Sequence, residues 1–177
     1  MSQALPSVFI SYNPNSDFEE TLAIRLHTIG AVHGYNTLLP DRTNNQSEVT
    51  ANTKQRINMA DYFILFSTTP KLSSTVAEEI RLAYLRFHDK SKIITVFDAK
   101  QGRNLKGLEH CTAIFIDSAT QGTTQVLEKI LEAVKKKDAK SSLIVPPVTD
   151  NSNVLAGILL AGLGLLLLGA LLGDNKK

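Results

Sequence analysis

The sequence has one cysteine, a formal net charge of only +2 and four histidines without metal-ligand spacing. A single cysteine cannot form an internal disulfide, so nothing indicates an oxidising compartment. Cys111 adjoins an apolar run and is more typical of a buried, inert thiol than of a reactive one. The small net charge gives no electrostatic reason to expect a nucleic-acid partner, and the histidine spacing predicts no metal site.

The sequence also has little that resembles a targeting signal. Residues 1–7 contain neither a basic cluster nor an apolar stretch, so we expect no signal peptide. The chain has 177 residues, of which 43% are hydrophobic. This length favours one domain with a core of ordinary size and an additional segment. We assign residues 1–6 to an N-terminal tail and residues 7–137 to the domain.

The additional segment is an uncharged run that begins at Val154 and ends at Gly173. As a helix rising about 1.5 Å per residue, it would span the roughly 30 Å hydrocarbon core of a bilayer. It is apolar on all sides, which excludes an amphipathic surface helix. The run predicts a transmembrane helix, with a buried core helix as the alternative. A polar linker at residues 138–153 precedes it, and a tail at residues 174–177 follows.

The charges that flank this run predict its orientation. Lysines at residues 135–137 and Lys140 outweigh Lys176 and Lys177, so the positive-inside rule favours a cytoplasmic domain. We expect a single-pass, tail-anchored membrane protein whose C-terminal helix contacts the lipid bilayer. Small residues four apart in the helix have the spacing through which transmembrane helices self-associate. The basic run either contacts anionic headgroups or is the solvated end of a helix.

Between residues 7 and 137, predicted strands and helices alternate. The run at residues 62–67 is apolar on both faces, as a strand buried in the middle of a parallel sheet must be. Five strands alternating with helices predict an α/β fold, with a flavodoxin-like, five-stranded parallel sheet flanked by helices. The predicted strands cover residues 7–12, 35–39, 62–67, 92–97 and 111–116, and the predicted helices cover residues 18–33, 49–60, 75–87 and 125–137.

Glu79 follows the third predicted strand, at the sheet edge where open α/β folds bind ligands. Thr75 is the predicted helix cap, and Glu78 completes a Thr-x-x-Glu capping box with it. Helical phase places Glu78 away from the sheet and Glu79 at the edge of the buried stripe. Glu79 would lie in or next to the first turn of this helix, where the helix dipole favours the ionised form of a carboxyl group. From position alone, Glu79 is either a solvated first-turn glutamate or a functional carboxylate.

Four short motifs follow one another along the domain. They are VFISY at residues 8–12 with Asp17, LLPDR at residues 38–42, ADYFILFS at residues 60–67, and Ser73 with Val76, Glu79 and Ala83. In this order they resemble the first and second boxes, the third strand and the Ser-x-x-x-x-x-Glu-x-x-x-Ala helix of Toll/interleukin-1 receptor (TIR) domains. The resemblance covers about residues 7–137 and implies the TIR fold.

The resemblance also implies an activity, because many TIR domains cleave NAD⁺ at the bond between nicotinamide and ribose. It implies that Glu79 is the catalytic residue and that NAD⁺ is a substrate, with no prosthetic group. A glycosidase usually needs two carboxylates, one of which protonates the leaving oxygen. Nicotinamide in NAD⁺ already carries a positive charge, so one carboxylate that stabilises the oxocarbenium-like state is enough.

The remaining site residues are also assigned by resemblance. Tyr12 and Asn13 would line the cofactor cleft at the end of the first strand, and Ser67 would do so at the end of the third. Asp41, Arg42 and the polar run that ends at Gln46 would form a loop over the cleft. For each of them a turn or capping role is the alternative.

Three functions follow from these expectations. The first is a membrane-anchored NAD⁺ glycohydrolase that is activated by homo-oligomerisation, in a defence or cell-death pathway such as antiviral innate immunity. Tethering in a plane would raise the local concentration and favour assembly. The second is a non-catalytic signalling adaptor, which needs no glutamate. The third is an oligomeric effector whose C-terminal helix disrupts the membrane.

Overall fold

The computed structural model describes residues 5–42, 48–100 and 107–141, with only the backbone described for residues 138–141. Five strands alternate with helices along the chain, as the sequence pattern predicts. The strands are β1 (Ser7–Ser11), β2 (Asn36–Leu38), β3 (Tyr62–Ser67), β4 (Ile93–Asp98) and β5 (Thr112–Ile116), and the helices are α1 (Asp17–Val32), α2 (Ala51–Met59), α3 (Ser74–Arg86) and α4 (Thr123–Ser141).

The strands form one sheet in the order β2-β1-β3-β4-β5, and every neighbouring pair is parallel. This is the predicted flavodoxin-like arrangement, in which the chain leaves β1 for the edge strand β2 and returns to β3 on the other side of β1. All residues of β3 and β4 are buried, because helices cover both faces of the middle of the sheet. The edge strand β5 has alternating exposure instead.

Each face of the sheet carries its own apolar core. On one face α1 and α4 pack against alternate residues of the central strands, among them Ile10, Ile64 and Val96. On the other face α2 and α3 cover the intervening residues, among them Phe9 and Phe63, whose stacked rings lie 5.5 Å apart. Alternate side chains of a strand point to opposite faces, so the two cores share the same backbone and fix the register.

The parallel strands bring their carboxyl ends to one edge of the sheet, which we call the carboxyl edge. Ser11 ends β1, Ser67 ends β3 and Asp98 ends β4 at this edge. Strand order reverses between β1 and β3, and ligands of open α/β sheets bind outside the carboxyl ends at such a switch point. Side chains beside Ser11 and Ser67 are therefore the first candidates for a functional site.

Several predicted boundaries are wrong by one or two residues, and α4 ends at Ser141, four residues beyond its predicted end and inside the predicted linker. The start of α3 is the boundary that affects the site. Ser73, not Thr75, is the N-cap of α3, and its hydroxyl accepts a hydrogen bond from the Val76 amide. Both residues are good caps by type, and the Ser73 hydroxyl is the one that accepts from the helix backbone. Glu79 consequently lies in the second turn of α3, beyond the first-turn position that we predicted.

The predicted transmembrane run at residues 154–173 lies outside the described residues. Within residues 5–42, 48–100 and 107–141, no helix combines the length and the apolar character needed to cross a bilayer.

Candidate active site

Glu79 lies inside the protein at the switch point of the sheet. Its side chain has no exposed surface, although it is a carboxylate on an otherwise amphipathic helix. The hydroxyl of Ser11, at the end of β1, donates a hydrogen bond of 2.5 Å to Glu79 Oε2. The expectation of a solvated glutamate is therefore wrong. α3 buries this residue against the carboxyl end of β1, which is consistent with its helical phase beside Val76 and Ala83.

Arg42, which follows β2, closes the site from the outside. Its Nη1 lies 2.7 Å from Glu79 Oε1, a charge contact without hydrogen-bond geometry, and its Nη2 donates to Glu79 Oε2 at 3.3 Å. Nη2 also donates to the Tyr12 carbonyl at 3.1 Å, and the guanidinium carbon lies 5.5 Å from the Tyr12 ring centroid. The Arg42 side chain keeps 21% of its surface exposed, whereas that of Glu79 keeps none. Arg42 thus separates the carboxylate from solvent.

Burial raises the pKa of Glu79 above its ordinary value of 4.5, and the Arg42 charge and the Ser11 hydrogen bond oppose that rise. Desolvation disfavours the charged form of a carboxyl group, while a nearby cation and a donor to the carboxylate favour it. Burial thus opposes the ionised form that the helix dipole was expected to favour. The charge of Glu79 depends on Arg42 and Ser11.

Glu78, next in the chain, has a separate and ordinary role. It is partly exposed and pairs with Arg81 one turn later, with two contacts of 2.7 Å. It does not form the predicted capping box with Thr75, because the cap is Ser73. The hydrogen bond from Arg81 lowers the pKa of Glu78. The two neighbouring glutamates thus have opposite environments, as their helical phase predicts.

The other predicted site residues divide into two groups. Tyr12 and Arg42 contact each other and surround Glu79, and burial raises the pKa of Tyr12. Asn13 faces the loop after β3, where its amide nitrogen donates to Thr69 Oγ1 and to the Lys71 carbonyl.

Asp41 and Ser67 form the second group, whose surroundings differ from those of Tyr12, Asn13 and Arg42. Asp41 lies against α2, since its carboxylate accepts from Asn52 and its amide donates to Thr53. Ser67 is buried, and its hydroxyl has no hydrogen-bond partner within the described part of the chain. Gln46 lies outside the described residues.

The sequence reasoning missed two residues of this site. Ser11 was seen only as part of a strand motif, yet its hydroxyl contacts the Glu79 carboxylate. The pattern Ser16-x-x-Glu19 is typical of a capping box, which would give Glu19 an ordinary role at the helix end. Ser16 is indeed the N-cap of α1, but the Glu19 carboxylate reaches Asn13 and the loop after β3 instead. An acid at a buried helical position was the signal that could have found it.

Two grooves lie elsewhere on the fold. One, of about 470 Å³, runs between β5 and α4, and the other, of about 420 Å³, runs along the outer face of α3. Neither is lined by Glu79 or Arg42. The described residues also contain no group of three or more His, Cys, Asp or Glu side chains that could hold a metal ion.

The arrangement has a defined chemical capacity. A carboxylate at the switch point can stabilise a cation that forms in the crevice, provided that it is ionised and accessible. A guanidinium beside it can bind an anionic group such as a phosphate in a bidentate manner. The two charges now neutralise each other, so a ligand that carries both signs of charge could replace each partner.

A scan against models of known protein families found no match, and a search of curated proteins also found none.

Proposed function

We propose that this chain is a TIR-type NAD⁺ glycohydrolase in which Glu79 stabilises the cation that forms as the nicotinamide–ribose bond breaks. The observation that carries the proposal is the buried carboxylate at the switch point, held by Ser11 and Arg42. Glu79 is the residue that the TIR resemblance marks as catalytic. The parallel order of the sheet supports the same assignment, because it brings Glu79 to the ligand-binding edge.

The proposed chemistry needs one carboxylate and no acid. The glycosidic C–N bond breaks, and its electron pair neutralises the pyridinium nitrogen of the departing nicotinamide. The ribose carbon becomes oxocarbenium-like, and ionised Glu79 stabilises this positive charge. A hydroxyl nucleophile, such as that of water, then bonds to this carbon and loses its proton. With water the products are nicotinamide and ADP-ribose.

Arg42 has a second role in this proposal. The diphosphate of NAD⁺ is an anion, and the nicotinamide ribosyl unit is a cation. We infer that substrate binding exchanges partners, so that Arg42 pairs with the diphosphate and Glu79 faces the ribose. Bidentate guanidinium–phosphate contacts are among the stronger charge-assisted hydrogen bonds in proteins. The exchange would expose Glu79 at the moment when substrate is present.

Assembly and membrane attachment belong to the same proposal. A transmembrane helix at residues 154–173 would hold the domain at the cytoplasmic side of the bilayer, and tethering would raise its local concentration. Self-association would then favour the form of the site in which Glu79 is exposed. The proposed setting is a defence or cell-death response. Reconstitution at increasing density in liposomes tests this part, because nicotinamide release per molecule should rise with density.

The central experiment measures nicotinamide release from NAD⁺ by the full chain clustered in liposomes. Glu79→Gln should lower turnover by at least about a hundredfold, since it removes the charge that stabilises the transition state. Glu78→Gln is the matched control, because it removes the same charge one residue away on the exposed face and should change turnover less than about twofold. Absence of turnover in the wild type at every density would overturn the proposal.

The second candidate is an assembly adaptor without catalysis, and the same ion pair favours it. A carboxylate that is paired with a cation and shielded from solvent can serve the fold alone. An adaptor should assemble equally well as the wild type and as Glu79→Gln, with no nicotinamide released by either. For the membrane-disrupting alternative, toxicity in cells should survive Glu79→Gln and disappear when residues 154–173 are deleted.

A further inference from the structure

Glu19 is a second fully buried carboxylate, and it lies in the first turn of α1. Its Oε2 accepts a hydrogen bond of 2.8 Å from the Asn13 amide, in the loop after β1. Its Oε1 accepts from the Thr68 amide at 2.6 Å and the Thr69 amide at 3.1 Å, in the loop after β3. The hydroxyls of both threonines donate to Oε1 as well, at 2.9 and 3.4 Å.

The acceptor oxygens of a carboxyl group match this set of partners. All of these partners are donors, and a carboxylate offers acceptor sites on both oxygens. Burying a charge is costly unless hydrogen bonds compensate it, so an apolar side chain would be cheaper if packing were the only role. A glutamine in place of Glu19 would have an NH₂ group where one carboxylate oxygen lies. That group is itself a donor, so it could not accept the hydrogen bonds on its side. Glu19 thus has a role that an apolar side chain could not fill, namely to join the loops after β1 and β3.

One of the two loops that Glu19 joins continues from the residues that hold Glu79 and Arg42, and the other leads into α3, which carries Glu79. Ser11, Tyr12 and Asn13 are consecutive, and each holds a different part of the site. The Ser11 hydroxyl donates to Glu79, and the Tyr12 carbonyl accepts from Arg42. The backbone amide of Asn13 donates to Glu19. Asn13 is tied to the second loop too, through hydrogen bonds to Thr69 and to the Lys71 carbonyl just before α3 begins.

We propose that Glu19 is a positioning residue, which fixes the carboxyl end of β1 against the loop after β3 and thereby sets the geometry of the Ser11–Glu79–Arg42 contacts. Its consequence for turnover rests on the proposed function, whereas its consequence for the geometry does not. Glu19 contacts neither Glu79 nor Arg42 through the hydrogen bonds of the described residues. It acts through Ser11 and Tyr12.

Glu19→Gln is the informative variant, and Asp17→Asn is its matched control. Asp17 lies in the same turn of α1, is exposed and makes no side-chain hydrogen bond within the described residues, so it tests the loss of charge alone. Hydrogen exchange by NMR in detergent should show faster exchange of the Asn13, Thr68 and Thr69 amides in Glu19→Gln. The amides of the central strands should be unchanged, which separates local loosening from unfolding.

The Glu79 carboxyl carbon provides a readout that a purely structural role would leave unchanged. Ser11 and Arg42 both lower the pKa of Glu79, so loosening their contacts should raise it further in Glu19→Gln. Thr68→Val is a milder variant that removes one hydroxyl donor, and it should give a smaller rise in the same direction. An unchanged Glu79 titration in both variants, together with faster exchange at Asn13, would overturn the proposal.

Kinetics complete the test. Glu19→Gln should lower kcat for nicotinamide release by about tenfold to a hundredfold and change KM less than about threefold, because misplacement of a catalytic group acts on the transition state. Formate at matched ionic strength should restore part of the rate in Glu19→Ala, and chloride should not. If the wild type releases no nicotinamide, the proposed function fails, and the exchange and titration data still decide whether Glu19 positions Glu79.

Discussion

Arg42 Nη1 lies 2.7 Å from Glu79 Oε1, and this contact joins a partly exposed cation to a fully buried carboxylate. The carboxylate is shielded by the side chain that neutralises it. A ligand that pairs with the Glu79 carboxylate would therefore have to displace Arg42. The first predictions follow from this pair.

Removing the Arg42 charge should raise the pKa of Glu79. In Arg42→Met the Coulombic attraction and one donor are lost, while the burial that raises the pKa remains. The midpoint can be followed by NMR of the Glu79 side-chain carbon across the pH range. Arg81→Met is the control, because Arg81 pairs with the exposed Glu78 and should change only the titration of that residue. An unchanged Glu79 midpoint in Arg42→Met would contradict the assigned pairing.

Arg42 should also discriminate between substrates with and without phosphate. If it binds the diphosphate of NAD⁺, Arg42→Met loses a charge-assisted contact of about 1.5–3 kcal/mol, or roughly ten- to hundredfold in kcat/KM. Nicotinamide riboside has the same scissile bond and no phosphate, so its reaction should not lose this contact. The ratio of kcat/KM for the two substrates cancels any change in Glu79 itself. A ratio equal to that of the wild type would exclude phosphate binding by Arg42.

Stability should depend on pH through Glu79 in a direction that can be stated in advance. Its pKa in the folded protein lies above the ordinary 4.5, so the folded state binds the proton more tightly than the unfolded state. The stabilisation from this proton is fully present below about pH 4.5 and is lost as the pH rises through the folded pKa.

Urea unfolding of the full chain in detergent, compared between wild type and Glu79→Gln at several pH values, measures this contribution. The difference in unfolding free energy should favour the wild type most at low pH, decline as the pH rises and then become constant. Groups that titrate equally in both proteins cancel in the difference. A difference that grows with pH would mean that pairing with Arg42 outweighs burial and that the pKa is lowered.

The central strand illustrates which parts of the fold the sequence predicts well. The bounds of β3 agree with the prediction, because a short run that is apolar on both faces is typical of a buried central strand. The start of α3 was less certain, since Ser73 and Thr75 are both good caps and only tertiary packing decides between them. Such local alternatives explain why the element order is correct while several ends differ by one or two residues.

The contacts of the site are harder to predict than its location. Glu79 was identified from its helical phase and its place after β3. Its pairing with Arg42 joins residues 37 positions apart, and no local pattern encodes the direction of a long side chain. Glu19 had a plausible local partner in Ser16, and its actual partners include a loop about 50 positions further along the chain. Long-range hydrogen bonds of this kind become visible only when the strands are placed side by side.

Cys111 should react slowly with alkylating reagents. Burial raises the pKa of its thiol to about 11, so very little thiolate is present at pH 8. Alkylation by iodoacetamide should be at least about a hundredfold slower than that of a free thiol with a pKa near 8.5, because the thiolate is the nucleophile. Unfolding in urea should restore the rate of a free thiol. A fast reaction of the folded protein would instead identify Cys111 as a reactive cysteine.

Gly30 should not tolerate alanine, because α1 passes very close to β2 at this residue. A Cβ on Gly30 would lie 2.4 Å from Thr37 Cγ2, well inside van der Waals contact. Alanine in an exposed helix usually stabilises relative to glycine. Here the clash should outweigh that gain, and we expect Gly30→Ala to destabilise the fold by about 1–3 kcal/mol in urea unfolding.

Thr37→Ser provides the compensating change for this clash. It deletes the offending methyl group and keeps the hydroxyl that donates to the His27 carbonyl. By itself it should cost about 1 kcal/mol for the lost methyl, but in the Gly30→Ala background it should recover stability. The double-mutant cycle should then give a favourable coupling of about 1 kcal/mol or more. Gly122→Ala is the control, since nothing lies within 4 Å of its Cβ position, and additive effects at Gly30 and Thr37 would contradict the predicted close contact.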